Sequence, residues 1–409
     1  MVTASKPTDA VKGGALPSQI WVLISASFVI ALGFGIVAPV IPQFATEFGV
    51  GVVAASAVIS VFAAMRLLFA PASGLLVQKL GERPVYLAGL LIVAASTGAC
   101  AFAQTYWQLL IFRGLGGIGS TMFTVSALGL LIRMSPADSR GRVSGFYATS
   151  FLMGSIGGPL VGGAVVGLGL RAPFIIYAIA LIIAAAVVFF SLGNVDSTES
   201  EHGSAVPMMS LRAALRVPAY RAALSSNFAT GWAVFGVRVA LVPLFVVAVL
   251  DRSAAVAAVA LAVFAVGNAL VLITSGRLSD VRGRKPFVVA GLIVAGLGTA
   301  AIGLTDNVAL FMIASFVAGF GSGLMTPAQQ ASVADIIGSR ARGGPVLSTF
   351  QMASDVGAIF GPIVAGMVVE YYSYGTAFVM SGAILLAAAV WWLFVKDTAS
   401  AAKAAARKQ

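Results

Sequence analysis

Twelve apolar stretches of about 18 to 29 residues most constrain what this chain can fold into. They are Ile20–Pro42, Val53–Val77, Val85–Phe102, Trp107–Ile132, Val143–Leu168, Pro173–Leu192, Ala222–Leu250, Ala254–Ser275, Phe287–Leu304, Val308–Val333, Val346–Val369 and Thr376–Val395. Crossing the hydrocarbon core as a helix takes about 20 apolar residues. Only 10% of the 409 residues are charged and 59% are hydrophobic, against about 25% charged in a soluble domain. The expected fold is an all-α membrane protein of twelve transmembrane helices. Disorder and a disulfide scaffold are excluded by the high hydrophobicity and the single cysteine, Cys100. With one histidine, His202, there is no material for a Cys/His metal site or Cys-His catalysis. Most acids lie in connections, which argues against an intramembrane hydrolase with paired carboxylates. We therefore expect no enzyme, no metal and no cofactor.

Basic residues give the orientation. With the N-terminus in the cytoplasm, twenty of the 25 Lys and Arg fall inside and two, Arg171 and Arg252, outside; Arg66, Arg113 and Arg238 lie within spans. That bias accounts for the net charge of +11 without nucleic acid. The expected organisation is a cytoplasmic tail (1–19), a six-helix bundle (20–192), a cytoplasmic linker with a short surface helix (193–221), a second six-helix bundle (222–395) and a basic cytoplasmic tail (396–409). Ser210 is placed to cap the linker helix, which would run to Pro218; His202 reads as a solvated loop residue. The first span has no cleavage site after it and reads as retained. The chain is expected in the cell (inner) membrane, multi-pass, monomeric, with both termini cytoplasmic.

The two halves repeat. Gly74–Arg83 reads GLLVQKLGER and Gly276–Lys285 reads GRLSDVRGRK, 202 residues later. Ser139-Arg140-Gly141-Arg142 before span five returns as Ser339-Arg340-Ala341-Arg342 before span eleven. Gly154-x3-Gly158-Pro159 returns as Gly357-x3-Gly361-Pro362, and Gly117 and Gly119 are matched to Gly321 and Gly323. Two pseudo-symmetric six-helix bundles would then meet around a central path, as in a rocking secondary transporter.

The loop carrying Gly276, Asp280, Gly283, Arg284 and Lys285 joins a turn to a charge cluster able to latch two helices. It resembles the signature loop of the major facilitator superfamily, G-x-L-x-D-R-x-G-R-R/K. The first-half copy, with Gly74, Gln78, Gly81 and Arg83, departs from it: Gln78 stands at the Asp position and Glu82 at the first Arg position, though Lys79–Glu82 could substitute. Span five carries Gly145, Gly154, Gly158, Pro159, Gly162 and Gly163. Its Gly stripe lets a neighbouring helix approach, and Pro159 removes one backbone bond. This resembles the antiporter motif of the family's twelve-span drug/proton exporters, in which the helix packs on the eighth span. Arg113 with Gly117 and Gly119 resembles the fourth-span pattern tied to proton coupling, with Gly116 in place of a frequent Gln. Pro39 and Pro42 read either as a bend lining a cavity or as ordinary termination of span one.

Ionisable groups at membrane depth are costly and mark pathways. Arg66 and Asp355 are the most central; Glu47, Glu370 and Asp335 lie near span ends, where they are expected to be solvated. Because the resemblance makes spans two and eleven neighbours, Arg66 and Asp355 are expected to pair across the interface, with Asp355 taking up a proton when the halves rock. The proton-coupling set is thus Asp355, Arg66 and Arg113. The substrate cavity set is Arg113, Arg238, Gln43, Asn227, Asn268 and Gln351, whose two arginines favour a neutral or anionic substrate. Gln329 and Gln330 are further polar candidates, for the path or for interhelical bonding. The expected function is proton-coupled efflux of small organic molecules such as drugs or metabolites by alternating access; the alternative is proton-coupled or facilitated uptake of a small organic solute.

Overall fold

The computed structural model describes residues 17–134, 140–192, 209–337 and 344–398. The expectations resting on Ser139, Ser339, Arg340, Arg342, His202 and residues 1–16 and 399–409 lie outside these residues. Twelve helices are long and apolar enough to span a bilayer. They are α1 Ser18–Val37, α2 Val52–Leu80, α3 Glu82–Ala101, α4 Tyr106–Met134, α5 Arg140–Val165, α6 Ala172–Ser191, α7 Pro218–Ala248, α8 Ala254–Arg282, α9 Lys285–Ile302, α10 Val308–Ile337, α11 Gly344–Tyr371 and α12 Tyr374–Leu393. Large apolar side chains such as Leu68, Phe102, Trp107 and Phe190 point outward, as lipid-facing surface requires. Gly81 and Gly283, at φ of 86° and 101°, turn α2 into α3 and α8 into α9 within one or two residues.

Three boundaries near prolines differ from expectation, and α8 runs on to Arg282 rather than ending at Ser275. α1 stops at Val37 and a separate short helix, Ile41–Thr46, follows with Pro42 in its first turn. The reading of Ile20–Pro42 as one segment is thereby corrected. α7 begins at Pro218, again with Pro in the first turn, so it takes in residues assigned to the linker. The linker helix is Leu211–Leu215, with the Ser210 hydroxyl accepting from the Ala213 N–H at 3.3 Å. Finally, α7 passes through a π-helical segment, Gly231–Val237, that no periodicity in the sequence announces.

In the first half α1 packs on α5 and α6, α2 on α4, and α3 on α4 and α6. The second half repeats this, with α7 on α11 and α12, α8 on α10, and α9 on α10 and α12. Between halves, α2 lies along α11 and α5 along α8. Glycines show the register. Gly117 faces the Phe62 carbonyl and Gly319 the Phe264 carbonyl; Gly119 lies against Gly89 and Gly321 against Gly291. Each of these pairs is offset by 202. The matching of Gly117 and Gly119 to Gly321 and Gly323 is therefore two residues out, because glycines at alternate positions make a shifted match look equally good. Along α1 and α7 the offset changes. Phe28 and Phe228, against Gly154 and Gly357, differ by 200; Gly35 and Gly236, against Pro159 and Pro362, differ by 201. The π-helical turn, wider by one residue than an α turn, absorbs the extra residue.

Candidate functional site

Among the described residues two hydrogen bonds join the halves, both at one face. We term the face that carries the Leu211–Leu215 helix the linker face and its opposite the far face. At the far face Gln43 Nε2 donates to the Pro243 carbonyl at 3.2 Å, and the Val53 N–H, in the first turn of α2, donates to Glu370 Oε1 at 2.9 Å. Gly163 lies against Ala258 there. Among the described residues no other hydrogen bond crosses between halves, and at the linker face the polar clusters close within their own half. Gln43, expected in the cavity, thus closes the far face instead. Glu370, expected to be solvated, caps a helix of the opposite half.

Arg66 and Asp355 occupy the middle. Arg66 lies fourteen residues into α2 and Asp355 sixteen before the end of α11, about 21 and 24 Å from the far face at 1.5 Å per residue. Asp355 lies within electrostatic reach of Arg66, with Gln351 beside it one turn earlier. The two charges do not form an ion pair within 4 Å, and Arg66 Nε is buried without a partner. The expected direct pair is corrected to a facing of charges. One close contact of α2 with α11 lies near the far face, where Gly366 stands against Val53 and Ser56. Arg66 and Asp355 sit about three turns deeper.

Arg113 and Arg238 are each only 5% exposed. The Arg113 guanidinium sits 4.2 Å from the Phe62 ring and that of Arg238 3.5 Å from Phe264, geometry that favours cation–π attraction. Phe62 and Phe264 are the same position of the repeat, 202 apart, yet the arginines reach them from α4 and α7, which are not equivalent. Cys100 and Tyr177 lie within electrostatic reach of Arg113. Asn268 lies half-buried one turn beyond Phe264 on α8. Asn227 Nδ2 donates to the Phe350 carbonyl at 2.5 Å, and Gln329 to Ser226 Oγ at 2.8 Å. Both act as interhelical bonds within the second half, so Asn227 is withdrawn from the cavity set.

The second latch loop forms a dense cluster. Arg284 pairs with Asp280 and, at 3.2 Å, with Asp335 of α10. Burial works against its charge, but these carboxylates outweigh it and hold the guanidinium above its ordinary pKa. Asp397 accepts the Arg284 and Lys285 N–H groups at 3.2 and 3.1 Å, and Lys285 Nζ donates to the Leu393 carbonyl at 2.7 Å. Asp335, expected to be solvated, is a partner here, and Asp397 was not anticipated. In the first loop Gln78 is exposed and Gly74 faces open space. Arg83 donates to the Phe189 carbonyl at 2.7 Å. No ion pair joins Lys79 to Glu82 among the described residues.

The glycine stripe of α5 meets α1. Gly154 lies against Phe28 and Leu32, Gly158 against Leu32 and Gly35, and Gly162 against Ile36. Only Gly163 reaches α8. The helix lies along the eighth span as the resemblance implies, with Gly163 at that contact, while Gly154, Gly158 and Gly162 serve the contact with α1 inside its own half. The surroundings of Gly145 lie outside the described residues.

The model of the major facilitator superfamily matches residues 23–251 and again 223–409. The quinolone resistance protein NorA of Staphylococcus aureus (strain MRSA252) is 25% identical over 357 residues, 87% of this chain and 90% of that protein. The tetracycline resistance protein, class H, of Pasteurella multocida is 32% identical over 171 residues, 39% of this chain and 41% of that protein. A bacterial homolog to the human lysosomal transporter Spinster, in an inward-facing and unoccupied conformation, has a TM-score of 0.73 at 18% identity, covering 96% of this chain and 98% of that one. That likeness concerns the fold. Twelve membrane helices in two repeated halves, and a family match to each half, identify the chain as a member of the major facilitator superfamily: a multi-pass plasma-membrane transporter and not an enzyme.

Proposed function

We propose that the protein exports small organic molecules, neutral or anionic, in exchange for protons, with the linker face in the cytoplasm. The observation that carries this reading is Asp355. Among the described residues it is the one carboxylate far from both membrane faces, and it stands on one half opposite the Arg66 charge of the other. Rocking that separates α2 from α11 changes the field at Asp355. A carboxylate losing a nearby guanidinium in a low-dielectric site takes up a proton; one regaining it gives the proton back. Arg113 sits near enough to the same path to serve the coupling. The family's resistance-protein relatives support export, as does the glycine and proline pattern of α5. The far-face bonds lie on the extracellular side once the linker face is cytoplasmic, the side to which the Lys and Arg bias assigns it.

The test is a substrate screen in proteoliposomes with an imposed pH gradient. Export coupled to protons predicts that accumulation of the compound stops when a protonophore collapses the gradient. Accumulation that persists unchanged contradicts the coupling. Movement of solute with the proton rather than against it supports the uptake alternative.

A further inference from the structure

Four features converge on Arg238. Its guanidinium is buried, and its Nε and Nη1 have no hydrogen-bond partner. No carboxylate among the described residues stands within ion-pair distance of it. The Phe264 ring closes one side at 3.5 Å. The π-helical turn Gly231–Val237 ends one residue before it and sets where it projects, a device common at functional sites. Ser315 adds a fifth. It stands 202 residues after Arg113, at the register from which α4 sends Arg113 to Phe62, and its hydroxyl is also buried without a partner.

We propose that Arg238, backed by Phe264 and joined by Ser315, is the subsite that holds the carboxylate of a monoanionic aromatic or aliphatic cargo. This rests on the reading of the protein as a transporter of small organic molecules and names the class. Arginine does not shed its charge in ordinary conditions, so an uncompensated guanidinium in a membrane interior demands an anion or water. Nη2 is the one guanidinium nitrogen not sealed from open space. It belongs to both hydrogen-bonding forks of the group, side-on with Nε and end-on with Nη1, so a carboxylate that enters at Nη2 completes a bidentate pair with a nitrogen now orphaned. One guanidinium with no lysine beside it balances one negative charge, which favours a carboxylate over a dianionic phosphate.

The experiment is calorimetric titration of the full-length protein in lipid nanodiscs with three isosteric probes, 1-naphthoate, 1-naphthylmethanol and 1-naphthylmethylammonium, and with chloride. Naphthoate should bind at least tenfold more tightly than the alcohol, and the ammonium probe more weakly than either. Arg238→Gln should erase the preference for naphthoate and Arg238→Lys should keep part of it. Equal binding of the three probes by the unmodified protein, which needs no variant to fold, overturns the proposal. So does a preference that survives Arg238→Gln, or chloride that displaces naphthoate in the low millimolar range. Binding needs no gradient, so the outcomes separate. Arg238-dependent binding of naphthoate without proton-driven flux of any compound leaves the subsite and removes the exporter. Proton-driven export without naphthoate binding does the reverse.

Discussion

At Gly158 an added Cβ would stand 2.5 Å from the Leu32 carbonyl oxygen and 2.7 Å from the Gly35 Cα, backbone atoms that cannot rotate away. At Gly74 it would meet nothing within 4 Å. Both glycines belong to motifs, and the sequence alone does not rank them. Gly158→Ala should force α5 from α1 and cost about 1–3 kcal/mol, read as a lower midpoint of thermal unfolding in detergent. Gly74→Ala should change stability by less than about 0.5 kcal/mol. The reverse ranking would deny that the stripe is an α1–α5 contact. The charged residues divide in the same way. Asp355 and Arg66 were readable as isolated charges in apolar stretches. Glu370 was not, because its partner, the Val53 N–H, lies 317 positions away and a terminal carboxylate looks solvated until the fold supplies a helix end.

Among the elements, the two devices that hold helices together are loop clusters and the far-face bonds. Arg284 is 12% exposed in its side chain and bridges the ends of α8 and α10. Its replacement by Met should lower stability by about 1–3 kcal/mol through the loss of charged hydrogen bonds. The same test on Gln78 should do little, since that side chain is exposed. Glu370 caps α2 from α11, so the bond exists only while the far face is closed. Glu370→Ala should remove about 1 kcal/mol from the closed shape. Spin labels on the far ends of α2 and α11 should then report a several-fold larger population of long distances by pulsed electron resonance; an unchanged distribution would mean that the contact is incidental. The apolar lengths and paired loops made the helices and their duplication legible. The π turn escaped because one inserted residue leaves the apolar character of α7 intact, and its effect on register shows in the contacts of Gly35 and Gly236 with the two prolines.

For the whole molecule the two halves are bodies that share a mid-depth pair of facing charges and are bonded at one face. This arrangement exchanges access only if the far-face bonds break while the linker ends approach, and it couples to protons only if Asp355 changes charge during that motion. Where the halves meet was less legible than the halves themselves. The expectation of a closed Arg66–Asp355 pair came from helix adjacency, and adjacency fixes depth but not the gap between side chains. The most direct measurement is transport by Asp355→Asn in proteoliposomes, with proton-driven extrusion and substrate–substrate exchange followed side by side. A neutral, permanently proton-like side chain should abolish the gradient-driven accumulation and leave exchange near its original rate. Accumulation at full strength in the variant would contradict the account.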